Sequence, residues 1–326
     1  MVTPPAVPAV ALPARFVDRL RQIVPPDRYD ACWQAFHGPR ATAYRVNRLR
    51  TTPAALQTEL EAAGLHPVPV PWLADAALVP VSERRALTET AACAEGRLYL
   101  QNPSSLVPPL ALAPGPTDRV LDLCAAPGGK TLHLAALTGQ PGQIAAVELS
   151  RPRFFRLKRN LVTGGAAAVR TYQRDGSTVW RHCPEQFDRV LLDAPCSGEG
   201  LIDATAPETW EHWDERQIRQ LSRRQTRLLY SAVQCLKPGG TLVYSTCTLA
   251  PEENEEVIHA ALERWGAALR VEALGIPVPG LLPGLTGWQG RQFDPQLSGA
   301  GRIAPDGVME AFFVCRMTKT ASTPTP

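Results

Sequence analysis

Short apolar runs and amphipathic segments alternate along the chain from about residue 117. The apolar runs read as buried strands, and they include RVLDLCA, QIAAVEL, AAVRTYQ, FDRVLLDAPC and TLVYSTC. The segments between them, such as RPRFFRLKRNLV and the long stretch at 214–236, have the spacing of helices. This alternation requires crossover connections, which build a parallel sheet with helices on both faces. We therefore predict an α/β fold with a mostly parallel, doubly wound sheet, whose ligands bind at the carboxyl ends of the strands.

A smaller α+β domain is predicted before this region, over residues 14–90. Its expected short helices are RFVDRLRQIV and PAALQTELEAAG, and its expected strands and turns are TAYRVNRLR and HPVPVPWL. The large domain is expected to span 91–318 and to end with two late strands in GRIAP and EAFFVCRM. The segments 1–13 and 319–326 are expected to be disordered, as poorly anchored chain ends commonly are.

Composition narrows the class of protein without naming a partner. The 326 residues are 44% hydrophobic and 20% charged, which is typical of a globular protein, and no run of 18 apolar residues predicts a membrane span. The apolar start is interrupted by prolines and lacks a leading basic segment, so we do not expect a signal peptide. Eight cysteines with no C-x-x-C pair and no nearby histidine at a spacing typical of zinc sites predict a reducing cytoplasm and no metal site. A net charge of +3 does not by itself indicate a nucleic-acid partner.

The segment LDLCAAPGGKT lies between the first predicted strand and helix of the large domain. It resembles the end of a phosphate-binding P-loop, but Cys124 stands where that motif requires its first glycine. The loop instead offers small side chains and a permissive backbone, which let a ligand approach closely. The loop residues that provide this space are Ala125, Ala126, Pro127, Gly128 and Gly129.

Three acidic residues follow successive predicted strands, and all should face one crevice. They are Glu148, Asp175 and Asp193. Carboxylates there would repel a triphosphate, whereas a ligand with ribose hydroxyls, an amine and a sulfonium would be attracted. We therefore expect S-adenosylmethionine as the cofactor. The alternative is that each acid only caps the helix that follows it.

Two cysteines follow the fourth and fifth predicted strands of the large domain. Cys196 lies in DAPCSGEG and Cys247 in YSTCTLAPEENE. If these strands are neighbours, both thiols can reach one substrate atom. Methylating carbon 5 of a pyrimidine requires such help, because a thiolate must first add to carbon 6, and a base must later remove the carbon 5 proton.

The order of several motifs gives this chain a specific resemblance over roughly residues 40–317. QNPSS, LDLCAAPGGKT, AVELSRPR, LLDAPCSGEG, YSTCTLAPEENE and RIAPDGVMEAFF occur in the order found in RNA cytosine-5 methyltransferases, the Sun-domain family that includes bacterial 16S rRNA enzymes. The resemblance implies a Rossmann-like class I methyltransferase domain beside a small RNA-binding domain.

The resemblance also implies roles for individual residues. Cys247 would be the nucleophile, Cys196 would assist breakdown of the covalent intermediate, and Asp193 would hydrogen-bond cytosine N3. Lys130 would organise the active-site loops or contact the methionine end of the cofactor. The implied cofactor-binding set is the loop from Cys124 to Lys130 together with Glu148, Arg153, Asp175 and Asp193.

An RNA substrate also requires contacts away from the reacting base, which must be unpaired or flipped out of a helix. One candidate is a stripe on the long helix formed by Arg219, Arg223 and Arg227, for which a solvated face is the alternative. A second is the small-domain patch of Arg45, Asn47, Arg48 and Arg50. Trp210 and Trp213 are candidates for base stacking, with core packing as the alternative.

The sequence thus predicts a cytoplasmic, monomeric, S-adenosylmethionine-dependent enzyme that forms 5-methylcytosine in RNA. The expected substrate is 16S rRNA, free or in an assembling small ribosomal subunit, and tRNA is the alternative. Two other hypotheses are an amino-group methyltransferase, because D-A-P-C loosely resembles D-P-P-Y, and a noncatalytic RNA-binding or ribosome-assembly factor. The first leaves Cys247 without a purpose, and the second leaves both thiols and all three acids without one.

Overall fold

The computed structural model of the protein describes residues 12–323, and the remaining predicted disordered positions, 1–11 and 324–326, lie outside the described residues. The described α-helices are α1 (Ala14–Ile23), α2 (Pro26–His37), α3 (Pro53–Ala62), α4 (Arg84–Thr88), α5 (Ala91–Ala94), α6 (Val107–Leu112), α7 (Gly129–Thr138), α8 (Arg151–Thr163), α9 (Glu215–Cys235) and α10 (Glu255–Trp265). The described strands are β1 (Thr42–Val46), β2 (Val68–Val70), β3 (Leu73–Val79), β4 (Leu98–Leu100), β5 (Val120–Asp122), β6 (Ile144–Glu148), β7 (Arg170–Gln173), β8 (Phe187–Asp193), β9 (Leu236–Thr246), β10 (Leu269–Glu272), β11 (Leu282–Pro283), β12 (Gly287–Trp288), β13 (Arg291–Gln292), β14 (Gly301–Ile303) and β15 (Phe312–Lys319). Among residues 12–323, no helix is both long enough and apolar enough to cross a membrane.

A nine-stranded mixed sheet forms the large domain. Its main path runs β11-β14-β15-β9-β8-β5-β6-β7, and β10 pairs with β15 beside that path. The five strands from β9 to β7 are parallel, while β15 and the strands beyond it are antiparallel. The prediction of a Rossmann-like, mostly parallel α/β sheet is confirmed for this central part.

Helices cover both faces of the central strands, as a doubly wound sheet requires. On one face, apolar residues of α6, α7 and α8 pack on the sheet, among them Leu112, Leu132 and Leu157. On the other face α9 and α10 contribute buried residues such as Leu228 and Ile258. Burial of these two apolar layers is the main favourable term that holds the domain together.

The region 14–90, predicted as a single α+β unit, divides into two parts. Helices α1 and α2 pack on the core of the large domain, where the ring of Phe16 meets those of Phe36 and Trp213 edge-on, each pair of centroids 5.7 Å apart. Arg19 of α1 also donates to Glu252 at 2.7 Å.

The small domain itself is a four-stranded sheet in the order β2-β3-β1-β4. Leu56, Leu60 and Leu87 of its helices are fully buried against the sheet. The strands pair antiparallel, and β1 lies between β3 and β4. Its last strand, Leu98–Leu100, lies beyond residue 90, where the sequence analysis placed the domain boundary. This strand leads directly into the large domain.

The predicted disordered tail begins in an ordered strand. Lys319 is the last residue of β15, and its ammonium group is buried. It donates to the carbonyl oxygens of Val233 and Leu236 at 3.0 and 2.9 Å and pairs with Glu185 at 2.8 Å. These acceptors at the end of α9 compensate the cost of burying a charge, so residues 319–323 continue the folded domain.

Candidate active site

The loop between β5 and α7 forms one wall of the site. Gly128 has a φ of +109°, and a Cβ on it would lie 3.1 Å from Leu157 Cδ1. A Cβ on Gly129 would lie 2.7 Å from the ring of Tyr99. Both positions therefore require glycine, the first for its backbone conformation and the second for space. The two glycines allow the loop to turn tightly at the carboxyl end of β5.

Helix α8 holds this loop from outside. Asn160 donates to the carbonyl oxygen of Pro127 at 2.8 Å, and Arg153 donates to that of Ala126 at 2.7 Å. Arg153 was predicted to contact the cofactor, and here its guanidinium group supports the loop and lies 3.9 Å from Glu148. The loop is therefore fixed in shape by its neighbours.

Of the three predicted acids, Glu148 is only partly engaged and Asp175 is a cap. Glu148 ends β6, is buried, and accepts from the Ser150 amide at 2.8 Å. Asp175 is exposed and accepts from both the amide and the hydroxyl of Ser177 at 2.9 Å, which caps the 3₁₀ helix that follows. The capping alternative thus describes the contacts of Asp175.

Asp122, the last residue of β5, is a buried acid that the sequence analysis did not select. Its Oδ2 accepts from the Thr131 hydroxyl at 2.7 Å, and its Oδ1 has no donor among residues 12–323. Burial raises the pKa of this carboxyl to about 7. The available signal was its position, since it ends the first strand of the large domain as Glu148 ends the second. An oxygen that is buried without a donor is a candidate ligand contact.

Lys130 and Asp193 form an ion pair at the centre of the site. Lys130 Nζ lies 2.6 Å from Asp193 Oδ2, and the Ser245 hydroxyl donates to Asp193 Oδ1 at 2.8 Å. Burial opposes the charge on Lys130, but the facing carboxylate outweighs it and raises the pKa of the ammonium group. Lys130 also lies 5.3 Å from the ring centroid of Phe312. The pair places a fixed carboxylate and a fixed cation beside the cofactor loop.

The two predicted cysteines meet beside this pair. Cys196 follows β8, Cys247 follows β9, and the two strands are parallel neighbours. Their Sγ atoms lie 3.2 Å apart. The hydrogen bond with Cys247 and burial together raise the pKa of Cys196 well above its usual value. Since two adjacent sulfurs cannot easily both ionise, the pair is suited to carrying a single negative charge.

A buried network joins the two cysteine loops, and the sequence analysis missed it. Ser197 and Thr248, the residues after each cysteine, meet through their hydroxyl oxygens at 2.8 Å. Glu253 accepts from the Ser197 amide at 3.0 Å and its hydroxyl at 2.5 Å, and from Gln225 at 2.8 Å. Burial raises the pKa of Glu253 to about 7.

A second buried carboxylate supports the same loops. Glu199 accepts from the Thr248 hydroxyl at 3.0 Å, the Leu249 amide at 3.1 Å and the Trp213 indole at 2.9 Å. Both carboxylates lie within the quoted motifs DAPCSGEG and YSTCTLAPEENE, in which the predicted site residues are Asp193, Cys196 and Cys247. Sequence distance hid the link, because Ser197 lies 56 residues from Glu253 and Thr248 lies 49 residues from Glu199.

A cavity of about 240 Å³ opens between the small domain and these groups. One side is the segment from Tyr99 to Asn102, and the other is the cofactor loop with Lys130 and Asp193. Cys124 also lines it, and burial raises the pKa of that thiol far above its usual value, so it stays protonated. Glu310 completes the lining, and burial raises the pKa of its carboxyl.

The prediction of an RNA-binding patch in the small domain is wrong for Arg45. Arg45 is 1% exposed and donates to the carbonyl oxygen of Gly129 at 3.3 Å, so it cannot track phosphates. Asn47 is also buried and donates to the carbonyl oxygens of Gly96 and Gly164. These side chains connect the small domain to the large one.

The other candidate RNA contacts divide between the surface and the core. Arg219, Arg223 and Arg227 are exposed on α9. Trp210 is buried and donates to the carbonyl oxygen of Asp203, and Trp213 packs on Phe16. Core packing, the alternative for the tryptophans, therefore describes them both.

The sheet order and the site together define a Rossmann-like methyltransferase fold. The chain belongs to the family described as 16S rRNA methyltransferase RsmB/F, whose model matches residues 109–283. The N-terminal domain of 16S rRNA methyltransferase RsmF matches residues 12–103. The resemblance drawn from the motifs, to a family that includes bacterial 16S rRNA enzymes, is confirmed.

Two curated relatives are each described as ribosomal RNA small subunit methyltransferase F. The protein of Shewanella amazonensis is 38% identical over 96% of this chain and 66% of its own length. That of Cronobacter sakazakii is 37% identical over 96% of this chain and 64% of its own length. The chain thus spans just under two thirds of these relatives.

Solved structures extend the likeness of fold. A methyltransferase homologue from Pyrococcus horikoshii is 32% identical, with a TM-score of 0.78 and 94% of each chain covered. NSun6 from the same organism, solved with SFG, has a TM-score of 0.79 at 21% identity, covering 96% of this chain and 99% of its own. The second comparison concerns the fold alone.

Proposed function

We propose that the protein is an S-adenosylmethionine-dependent methyltransferase that forms 5-methylcytosine in 16S rRNA through a covalent adduct on Cys247. The observation that carries this proposal is the 3.2 Å approach of Cys196 and Cys247 beside the Lys130–Asp193 pair. A nucleophile, a second sulfur and a fixed carboxylate in one part of the site are the groups that methylation of pyrimidine carbon 5 requires.

The residues around the cofactor loop fit S-adenosylmethionine. Ala125 and Ala126 leave room at the cavity wall, and Asp122 Oδ1 is an acceptor without a donor among residues 12–323. Glu148 would accept from the ribose hydroxyls, and Asp122 would accept from the amine or a bound water. When bound, the cofactor supplies an electrophilic methyl group. Asp175 is exposed, so the proposal gives it a smaller role in cofactor binding than Glu148 or Asp122.

The first step assigned to the protein is addition of the Cys247 thiolate to cytosine carbon 6. A carbon–sulfur bond forms, and the electron pair of the carbon 5–carbon 6 bond moves towards carbon 5 and N3. Negative charge develops at N3, which must therefore accept a proton. Asp193 would pass this proton to N3 from the ammonium group of Lys130, which donates to Asp193 Oδ2 at 2.6 Å. Carbon 5 thereby becomes nucleophilic.

The last step returns the enzyme to its starting state. Once carbon 5 carries its methyl group, its proton must leave, and the electron pair then expels Cys247 as a thiolate. Cys196 is next to the departing sulfur, and its pKa is raised chiefly by the neighbouring Cys247. When Cys247 is bound as a neutral thioether this influence is removed, so Cys196 ionises more readily and can accept the proton.

The small-subunit rRNA substrate is proposed from the names of the relatives, which this chain matches over most of its length. An rRNA substrate would place the protein in the cytoplasm, where ribosomes assemble. Because the relatives are longer than this chain, the whole of its substrate specificity is a proposal.

The test uses small-subunit RNA and labelled S-adenosylmethionine. Wild-type protein should produce 5-methylcytidine on nucleoside analysis. Cys196→Ala should accumulate a protein–RNA adduct on a denaturing gel, because attack proceeds while release fails. Cys247→Ala should form neither adduct nor product.

Cys93→Ala is the matched control, since Cys93 is half-buried in α5 and packs on the core of the small domain. It should behave as wild type. Full turnover by Cys247→Ala would exclude the proposed nucleophile. Methylation at an exocyclic amine in place of carbon 5 would exclude the proposed chemistry.

A further inference from the structure

A second, larger groove lies on the face of the large sheet opposite α8. Its volume is about 530 Å³, compared with about 240 Å³ for the catalytic cavity. The connection from β7 to β8 contains only the 3₁₀ helix Gly176–Arg181, which leaves this part of the sheet uncovered. Arg119, Ile144 and Phe187 mark the amino ends of three strands beside the groove. Among the described residues, none that lines this groove also lines the catalytic cavity.

The edge strand β7 supplies the most exposed side of the groove. Arg170 and Tyr172 lie two residues apart on β7, so their side chains point to the same face, and Arg174 directly follows the strand. All three line the groove. Tyr172 is 43% exposed. In the sheet register Tyr172 lies beside Val147, which contributes to an apolar floor. An exposed aromatic ring between two guanidinium groups over an apolar floor suits a flat ring that carries phosphates.

The charge in the groove has one sign. Arg119, Arg170, Arg174 and His182 line it, and no carboxylate does among the residues that the structure describes. Arg174 lies 3.4 Å from His182, and Arg119 donates to Gln186 at 3.3 Å. Neither Arg170 nor Arg174 has an ion pair to a residue within 12–323. These cations are therefore available to an anionic ligand.

The positive charge continues past the groove onto α8, on the other side of β7. The sequence Arg151–Thr163 contains no acidic residue, and four of its cations are exposed there besides the loop-bound Arg153: Arg151, Arg156, Lys158 and Arg159. A small anion would occupy only the groove. A long polyanion that crosses the edge of the sheet can contact both faces, and RNA has the required charge spacing and bases.

We propose that the groove and the β7 edge bind an unpaired segment of the substrate RNA, with a base stacked on Tyr172 and phosphates at Arg170 and Arg174. This inference rests on the proposed function, because it names a further contact of the same RNA. The contact would orient the RNA while the target cytosine enters the distant catalytic cavity.

The first experiment measures fluorescence anisotropy of a labelled single-stranded RNA over a salt series. Arg170→Ala and Arg174→Ala should each weaken binding about threefold to tenfold and lower the salt slope by about 0.7, the value for one lost phosphate contact on a single strand. Arg270→Ala is the control, because Arg270 is an exposed strand cation on β10, away from β7. Unchanged affinity and slope in both groove variants would overturn the proposal.

The second experiment tests stacking. Tyr172→Ala should lower the RNA affinity about tenfold, while Tyr172→Phe, which keeps the ring, should bind as wild type. Photocrosslinking with 4-thiouridine RNA should label the peptide that contains Arg170 to Arg174. Equal binding by the alanine and phenylalanine variants would exclude the stacked base.

A free 5′-mononucleotide is the competing occupant. If it bound as tightly as the oligonucleotide and Arg170→Ala weakened both equally, the ligand would be a small nucleotide, and the RNA proposal would be wrong. Methyl transfer is measured in parallel. If the wild-type protein transfers no methyl group, only the proposed function is refuted. If the wild type is active and the groove variants bind RNA normally, only the groove proposal is refuted.

Discussion

Ser197 and Thr248 meet through their hydroxyl oxygens at 2.8 Å, and each directly follows one of the two facing cysteines. This contact links the end of β8 to the end of β9 just behind the sulfurs. Glu253 accepts two hydrogen bonds from Ser197 and one from Gln225. The separation of the two sulfurs therefore depends on a carboxylate that touches neither of them.

Removing that carboxylate should slow catalysis without preventing cofactor binding. In Glu253→Ala the Ser197 amide and Gln225 lose a buried acceptor, so the Cys196 loop shifts, and we expect kcat to fall about tenfold or more. The KM for S-adenosylmethionine should stay near the wild-type value. Glu253→Gln should largely restore kcat, because the amide can occupy the same position. Glu256→Ala, in the next turn and outside the network, is the control.

The pH dependence of stability gives a separate test of Glu253. Burial raises the pKa of its carboxyl to about 7, above the ordinary value of 4.5. The folded state thus favours the protonated acid. Its contribution to the free energy of unfolding is fully present below pH ~4.5 and is lost as the pH rises towards 7. The loss is about 3 kcal/mol at most. Urea unfolding of Glu253→Gln between pH 5 and 8 should lack this pH-dependent loss of stability. Identical pH profiles for the wild type and Glu253→Gln would contradict the prediction.

The Lys130–Asp193 pair should act as a unit. Lys130→Met and Asp193→Asn are each expected to reduce methyl transfer about 100-fold or more, because a fixed charge at the reacting base is lost. The double variant should be far less impaired than the product of the two effects. Lys237→Met is a matched control, since Lys237 also pairs with an aspartate at 2.6 Å, namely Asp188, and should leave the rate unchanged. Multiplicative losses would show that the two side chains act independently.

Arg45 should behave as a structural residue. It is buried, and it reaches from β1 to the carbonyl oxygen of Gly129 at the start of α7. Arg45→Ala should lower the free energy of unfolding by about 2–3 kcal/mol, through lost packing and an unpaired carbonyl. Arg48 is exposed and pairs with Asp75, and its replacement by alanine should lower the free energy of unfolding by less than about 1 kcal/mol. Denaturant titrations of both variants check this order; equal stability losses would contradict it.

The sequence by itself determined the central architecture of the protein. The alternation of apolar runs and helical segments predicted the parallel strands, since each strand must bury both faces and each helix one. It also placed Cys196 and Cys247 after successive strands, and parallel neighbours bring such positions together at one edge. These features depend on local periodicity and chain order, both of which can be read directly.

Only the tertiary structure decided which surfaces each segment covers. The apolar face of α1 predicts that this helix is buried, but it does not predict that the large domain covers it. Arg45 looks like a surface cation in sequence, and it is buried because its acceptors come from elsewhere in the chain, one of them 84 residues away. The Glu253 network and the open groove beside β7 have the same origin. They depend on contacts between distant segments, whose free energy is fixed only when the whole chain has packed.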